Sequence, residues 1–242
     1  MSIRKKILAI SIGPVLVLGI ITLLFMLTMV KSSLMDEVQD ALKGTAAATL
    51  AAYDQNTGDY LESTNGDIWK GSYNISKSES LVDRIKENTG MDVTFFYGNK
   101  RIMTSALDKK GNRILGSEAG ERVVNQVIKG KKPFFSTNVS LDGTRNYGYF
   151  IPVYQNGTTD QVIGMVFVGT NKARKDAIVN KILGSIMMAL LVVMLLCIVT
   201  AMRMAASISK NIKNSVAVVG KLADGDLNVW VDEKLLKRKD EI

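Results

Sequence analysis

Two long stretches without a charged residue constrain this chain more than any other feature of its 242 residues. Residues 7–30 form the first stretch and residues 182–202 the second, with lengths of 24 and 21 residues. A helix rises about 1.5 Å per residue, so each stretch is long enough to cross the roughly 30 Å hydrocarbon core of a bilayer. Core helices of soluble domains rarely need such lengths, and the sequence therefore predicts two transmembrane helices.

The distribution of lysine and arginine predicts the orientation of these helices. Three basic residues at positions 4–6 precede the first stretch, whereas only Lys31 directly follows it, and basic residues favour the cytoplasmic side. The stretch is also longer than the roughly 7–15 apolar residues of a cleaved signal peptide, which predicts an uncleaved anchor. We therefore expect a multi-pass plasma-membrane protein with both termini in the cytoplasm, residues 1–6 inside the cell and residues 31–181 outside it.

The residue inventory argues against several classes of function. The chain has no histidine, and its single cysteine, Cys197, lies in the second stretch. Histidine triads, most catalytic zinc sites and disulfides are thereby excluded from these residues. Neither a glycine-rich phosphate loop nor an acidic loop with calcium-ligand spacing occurs, so we expect no enzyme activity, cofactor or metal site. The net charge of +8 comes from scattered basic residues interleaved with acidic ones, which does not indicate nucleic-acid binding.

Between the two stretches, the apolar pattern first predicts helices. Residues 32–62 carry small and apolar residues at helical spacings, so a helix is expected to continue out of the membrane. A second helix is expected to begin after an N-cap at Ser76, with Glu79 as its capping-box partner. It is expected to end just before Gly90, a residue that favours helix termination.

Strand-like runs follow, interrupted by one helical stretch at residues 117–129. The five runs are residues 92–97, 101–105, 134–139, 147–154 and 162–168. Gly98-Asn99, Asp142-Gly143 and Asn156-Gly157 lie at junctions between runs, and tight turns use such residues. The sequence therefore predicts an α+β domain, in which a long helix precedes an antiparallel sheet with further helices on it.

The segment Thr89–Thr104, with the sequence TGMDVTFFYGNKRIMT, resembles the single Cache sensor domains of bacterial chemoreceptors. The resemblance covers roughly residues 32–178 and continues through Leu115-Gly116-Ser117, the helix to Gly130, Tyr149–Tyr154 and Ile163–Gly169. It implies a PAS-like extracytoplasmic domain that holds a small ligand on one face of its sheet, under covering loops.

Residues 203–242 resemble the start of a HAMP domain, a signalling module that follows a transmembrane helix. Its expected inward-facing positions are Ile212, Ser215, Val219 and Leu222, whose spacings of three, four and three are those of a parallel coiled coil. Gly225 allows the chain to leave the helix. Asn211 stands where the family usually has proline, and the sequence stops at Ile242, where the second HAMP helix would begin.

Arginines are the natural donors for an anionic ligand, because a guanidinium can hold a carboxylate with two parallel hydrogen bonds. Candidates are Arg101, Arg113 and Arg145. By resemblance, Arg101 occupies a position where organic-acid sensors place an arginine, and Thr104 and Ser105 would add hydroxyl groups. The alternative is that Arg101 is a solvated strand residue paired with Asp92 or Asp108. Four aromatic residues either line the pocket or fill the core, namely Trp69, Tyr73, Phe135 and Tyr149.

The order of span, Cache-like domain, span and HAMP-like helix predicts the N-terminal portion of a methyl-accepting chemotaxis protein. Such a receptor would work as a parallel homodimer, bind a small extracellular molecule, with an organic acid as a candidate, and relay a conformational signal through the second span to HAMP. Downstream signalling proteins would be reached only through a C-terminal output domain. Two alternatives remain: a sensor module for a histidine kinase or cyclic-dinucleotide enzyme, and a structural membrane protein whose exported domain binds a protein partner.

Overall fold

The computed structural model describes residues 3–156 and 158–225, which divide into two compact units. Lys31–Lys181 form one unit, and the apolar helical segments before and after them form the other. Helix α1 runs over Ile3–Asp54 and helix α4 over Lys172–Ala223. Both predicted spans are therefore helical throughout, and each of these helices is long and apolar enough to cross a membrane.

Within the unit of apolar segments, large apolar side chains face outward. Leu18, Leu24, Met188 and Leu195 are 60–66% exposed, a surface that lipid rather than water covers favourably. Met194 of α4 lies so close to Gly19 of α1 that a Cβ at position 19 would overlap its side chain. Such small residues allow close approach between membrane helices.

Helix α1 ends earlier than the expected position 62, because the chain turns back at the end of the helix. The amide of Asn56 donates to the carbonyl of Tyr53 (3.1 Å), and the buried Tyr60 donates its hydroxyl hydrogen to Asp54 (2.9 Å). A small antiparallel sheet follows, in the order β1 (Tyr60–Glu62), β2 (Ile68–Lys70) and β3 (Tyr73–Asn74).

The second helix begins two residues later than its predicted N-cap requires. A 3-10 turn at Ile75–Lys77 leads into α2, Glu79–Thr89, whose N-cap is Ser78. The prediction of Ser76 as the cap is wrong, because the Ser76 hydroxyl instead accepts a hydrogen bond from the Ile68 backbone (2.9 Å). The predicted end of the helix is confirmed, since Gly90 caps it with a φ of 69°.

The five predicted strands are confirmed and form one antiparallel sheet in the order β5-β4-β8-β7-β6. Their bounds are β4 Asp92–Tyr97, β5 Lys100–Thr104, β6 Phe134–Leu141, β7 Thr144–Tyr154 and β8 Val162–Asn171. The helical stretch between β5 and β6 is shorter than predicted, with α3 at Glu121–Val123 and a π-helical turn at Val124–Lys129. Of the predicted turns, Gly157 lies outside the described residues.

The two faces of this sheet are covered unequally. Val93, Phe95 and Val166 point to one face and pack with residues of α1 and α2, such as Leu42 and Val82. The opposite face carries a smaller cluster that includes Phe96, Phe150, Met165 and Phe167, covered by Val127 of the π-helical turn. Because only a short segment covers this second face, it has room for a cavity.

At its C-terminal end, α4 stays helical through the predicted first HAMP helix. Val219 and Leu222 are 64% and 48% exposed, and Ser215 is exposed while Ile212 is half-buried. Gly225 adopts a φ of 82°, a conformation suited to leaving a helix. Residues 226–242, where the remainder of the HAMP resemblance falls, lie outside the described residues.

Candidate ligand-binding site

A cavity of about 510 Å³ opens on the second face of the sheet, between that face, strand β6 and the segment that leads into α3. Small-molecule sites usually have volumes of roughly 300–1,000 Å³. Its lining residues are Phe96, Arg101, Glu118, Ala119, Gly120, Arg122, Val123, Phe134, Phe135, Ser136, Thr137, Asn138, Val139, Ser140, Phe150 and Phe167. The cavity therefore combines an aromatic floor with polar groups from two walls.

Two glycines shape the floor of this cavity. Gly148 of β7 and Gly169 of β8 lie directly opposite each other in the sheet. A Cβ atom at either position would overlap the ring of Phe167. The absence of these two side chains lets the Phe167 ring lie against the sheet, where it contributes to the floor.

Arg101 brings a buried positive charge to the cavity. The residue lies on β5 opposite Phe96, is 7% exposed, and holds its guanidinium carbon 5.3 Å from the centre of the Phe96 ring. One Nη donates a long hydrogen bond to the carbonyl of Ile114 (3.4 Å), while Nε has no hydrogen-bond partner. Burial lowers the pKa of the guanidinium, and Asp92 partly opposes this shift. Arginine nevertheless stays protonated in proteins.

The aspartates considered as alternative partners of Arg101 are engaged elsewhere. Asp92 forms an ion pair with Lys86 (2.7 Å), and Asp108 accepts backbone hydrogen bonds from Lys110 and Asn112 (2.8 Å each). Among residues 3–156 and 158–225, no carboxylate forms an ion pair with Arg101. Leaving a buried guanidinium without an anionic partner is energetically unfavourable.

The predicted hydroxyl donors Thr104 and Ser105 lie outside the cavity. Both are buried, with the Thr104 hydroxyl 2.6 Å from that of Thr94. The Ser105 hydroxyl accepts a hydrogen bond from the Val93 backbone (2.8 Å). These contacts hold the end of β5 against β4.

The other two candidate arginines also lie away from the cavity lining. Arg113 donates two hydrogen bonds to the Asp83 carboxylate (2.9 and 2.5 Å) and one to the Thr104 carbonyl (2.7 Å). These hydrogen bonds, together with the attraction between the opposite charges, raise the pKa of Arg113 and lower the pKa of Asp83. Arg145 is exposed near the start of β7.

Of the four candidate aromatics, Phe135 lines the cavity and the other three do not. Trp69 is half-buried on β2, and the Tyr73 ring lies 6.3 Å from that of Tyr53. Tyr149 is buried in the cluster on the opposite face of the sheet, with the residues of α1 and α2. Phe135 borders the cavity, but its ring stacks on that of Tyr147 in the same opposite-face cluster, with ring centres 6.4 Å apart. Of the predicted site residues, Arg101 is thus the one whose charged group belongs to the cavity.

Several lining residues had no distinguishing signal in the sequence. Arg122 follows the acidic Glu121 in a polar stretch, yet its guanidinium carbon lies 5.4 Å from the centre of the Phe134 ring. Phe134, Phe150 and Phe167 come from three different strands. Only the pairing register shows that their rings share one face, so alternation within a single strand cannot reveal the cavity.

Residues 73–182 match the model of the family described as single cache domain 3. The antiparallel-sheet domain is therefore Cache-like, and it lies between two long apolar helices. This arrangement supports the assignment of the chain as a membrane protein.

One solved structure similar to the chain is an extracellular ligand-binding receptor from Desulfohalobium retbaense. The two share 15% sequence identity, with a TM-score of 0.43 over 61% of this chain. The chain spans about a quarter of that receptor's length, since 25% of the receptor is covered. No curated protein matched the sequence.

Proposed function

We propose that the chain is the input module of a membrane receptor that binds a small organic acid through Arg101. The observation that carries this proposal is the buried guanidinium, 7% exposed, in a cavity of about 510 Å³. An isolated buried charge is unfavourable, and a bidentate carboxylate would supply both the missing counter-charge and hydrogen bonds. The Arg101 charge is therefore expected to be better compensated in the complex than in the domain without ligand.

Calorimetry of the full chain in lipid nanodiscs, against a panel of small carboxylates, tests this proposal. We expect at least one carboxylate to bind and to raise the unfolding temperature of the domain. Arg101→Gln should abolish both effects. Arg84→Gln, on the exposed side of α2, removes the same charge outside the cavity and should leave both effects intact. If none of the carboxylates binds, the result would favour the rival function, in which the domain binds a protein partner.

The proposed signal leaves the domain through α4. Strand β8 ends at Asn171, and α4 begins at the next residue and continues as one helix to Ala223. A ligand shifts such a system only by its differential affinity for two conformations. Ligand-dependent rearrangement around β8 would therefore pass directly into the second apolar segment and the HAMP-like positions.

The chemotaxis assignment further proposes a parallel homodimer, with Ile212, Ser215, Val219 and Leu222 at the contact between helices. The exposure of Val219 and Leu222 in the single chain supports this arrangement, because apolar side chains at coiled-coil spacing favour a partner helix. In a Cys197→Ser background, Val219→Cys should form a disulfide between two copies, whereas Ala217→Cys, on another side of the helix, should not. A histidine kinase or cyclic-dinucleotide enzyme would use the same input, and the reading frame after Ile242 discriminates these outputs.

The proposed topology places the Cache domain outside the cell and both termini in the cytoplasm. The same Cys197→Ser background tests it with a membrane-impermeant maleimide. Asp160→Cys, at an exposed position of the domain, should be labelled in intact cells, whereas Asn214→Cys should be labelled only after lysis. The opposite pattern would reverse the topology.

A further inference from the structure

Four phenylalanines form a continuous apolar surface along the cavity. The ring centres of Phe150 and Phe167 are 4.7 Å apart, and those of Phe134 and Phe150 are 6.4 Å apart. Phe96, beneath the Arg101 guanidinium, extends this lining. These spacings fall within the range, roughly 4.5–7 Å, in which aromatic rings attract one another. A further ring in the cavity would find partners at the same spacing.

The charges of the lining residues favour a ligand with one carboxylate. Arg101 is buried, whereas Arg122 and the one lining carboxylate, that of Glu118, are exposed. Exposed charges are screened by water and salt, so Arg101 supplies the strongest local field. A second carboxylate on the ligand would lie against phenylalanine rings without a buried cation, and burying an unpaired charge is unfavourable.

Hydroxyl-rich ligands are also disfavoured by the position of the polar groups. Thr137, Asn138 and Ser140 of the β6 wall are exposed. The buried floor, in contrast, is built from Phe96, Phe150 and Phe167, at most 3% exposed. A sugar or hydroxy acid would therefore bury hydroxyl groups against rings that offer no strong hydrogen bonds.

From these contacts we infer that the ligand class is an aromatic monocarboxylate, with its carboxylate on Arg101 and its ring against the phenylalanines. This inference rests on the proposed function, because it uses the same cavity and the same guanidinium. The ring would lie against the half-buried Phe134 of the edge strand and the inner rings behind it.

The test is calorimetry of the full chain in nanodiscs with four matched probes: phenylacetate, cyclohexylacetate, succinate and phenylacetamide. Phenylacetate should bind most tightly. Phenylacetamide lacks the charge and should bind roughly 10–100-fold more weakly, as expected for a lost charge-assisted hydrogen bond. Cyclohexylacetate keeps the charge and the shape but not the π-system, and should bind roughly 3–10-fold more weakly. Succinate should be weaker than both ring-bearing acids.

The outcomes separate this inference from the proposed function. Tighter binding of succinate than of phenylacetate, lost in Arg101→Gln, would overturn the aromatic class while supporting organic-acid sensing. Equal affinities for phenylacetate and cyclohexylacetate would overturn the aromatic requirement alone. Failure of every carboxylate, both here and in the broader panel, would overturn the proposed function as well.

Variants of Phe134 test the position of the ligand ring. Phe134→Leu should weaken phenylacetate binding by roughly 3–10-fold and cyclohexylacetate binding by less. Phe134→Tyr keeps the ring and should keep the affinity. Normal binding by this variant would show that the loss in Phe134→Leu does not come from a general intolerance of substitution at this position. Tyr97→Leu is the matched control, because Tyr97 is half-buried on β4 but packs with the cluster on the opposite face. Equal losses in Phe134→Leu and Tyr97→Leu would contradict the proposed ring position.

Discussion

The hydroxyl of Tyr147 donates a 2.5 Å hydrogen bond to the carboxylate of Asp176, joining strand β7 to the N-terminal part of α4. Lys172 adds two contacts at the same place. Its ammonium lies 4.6 Å from the centre of the Tyr147 ring and donates to the carbonyl of Thr137 on the cavity wall (3.2 Å). The start of α4 is thus fixed to two strands, β6 and β7, which both contribute residues to the cavity lining.

Tyr147→Phe should lower the free energy of unfolding by about 1–3 kcal/mol at neutral pH, the typical contribution of a hydrogen bond to a charged group. Burial, followed by the hydrogen bond to Asp176, raises the pKa of Tyr147 to about 12. The unfolded phenol has a pKa of about 10, so the folded chain holds the proton more tightly. The stabilisation is therefore complete below about pH 10 and lost as pH rises through about 12.

Urea unfolding of the full chain at several alkaline pH values measures this effect as a difference between the wild type and Tyr147→Phe. The difference should be largest below pH 10 and should shrink above it. Tyr154→Phe removes another phenol, which donates to the Lys131 carbonyl (3.3 Å), and is the matched control. A difference that stays constant with pH would contradict the assigned role of Asp176.

Arg101→Met should stabilise the apo domain, by about 1–3 kcal/mol, because it replaces an unpaired buried charge with an apolar side chain of similar length. The same variant should lose all stabilisation by carboxylates. This combination distinguishes a binding residue from a structural one, whose removal would be destabilising. Thermal unfolding with and without ligand provides the measurement, and Arg84→Met on the surface should change stability by no more than about 0.5 kcal/mol. A destabilised Arg101→Met would assign Arg101 a structural role.

The order of elements could be predicted from the sequence, because each element carries its own local signal. Strand β4 has the predicted bounds, Asp92–Tyr97, and Gly90 ends α2 as expected. Local signals were insufficient where two residues compete for one role. Ser76 and Ser78 are both good N-caps, and the contact of Ser76 with Ile68, eight residues earlier, decides between them.

The same limit separates the candidate site residues. Arg101 and Arg113 have the same side chain and lie near each other in sequence. Arg113, however, donates hydrogen bonds to the carboxylate of Asp83, which is 30 residues away. Likewise, Phe134 and Phe135 are neighbours in sequence, yet Phe134 packs in the cluster on the cavity side while the Phe135 ring packs with Tyr149, its cross-strand partner, on the opposite face. Availability of a side chain depends on such long-range contacts, which a single sequence does not contain.

Gly169→Ala should destabilise the domain, because the added methyl group overlaps the Phe167 ring in a closely packed region. Overpacking of this kind typically costs about 1–3 kcal/mol. Gly44→Ala is a matched change in the helical part of the same unit, where a Cβ meets nothing within 4 Å. It should be stabilising by up to about 1 kcal/mol, the difference in helix propensity. Opposite signs in urea unfolding are expected, and a neutral Gly169→Ala would show that the cavity floor adapts.

Asp83→Asn should destabilise the domain without changing ligand affinity, because Arg113 fixes α2 to the end of β5 and lies outside the cavity lining. We expect a loss of about 1 kcal/mol, since the Asp83 side chain is 43% exposed and solvent screens the pair.

Hydrogen bonds from Arg113 lower the pKa of Asp83. The ion pair therefore stabilises the fold above the ordinary aspartate pKa of about 4, and this contribution is lost as pH falls through the lowered value. Unfolding of wild type and Asp83→Asn at pH 7 and at pH 3 measures the difference, which should shrink at the acidic pH. Glu87→Gln, at an exposed position of the same helix, is the matched control. Weaker carboxylate binding by Asp83→Asn would instead place Arg113 in the site.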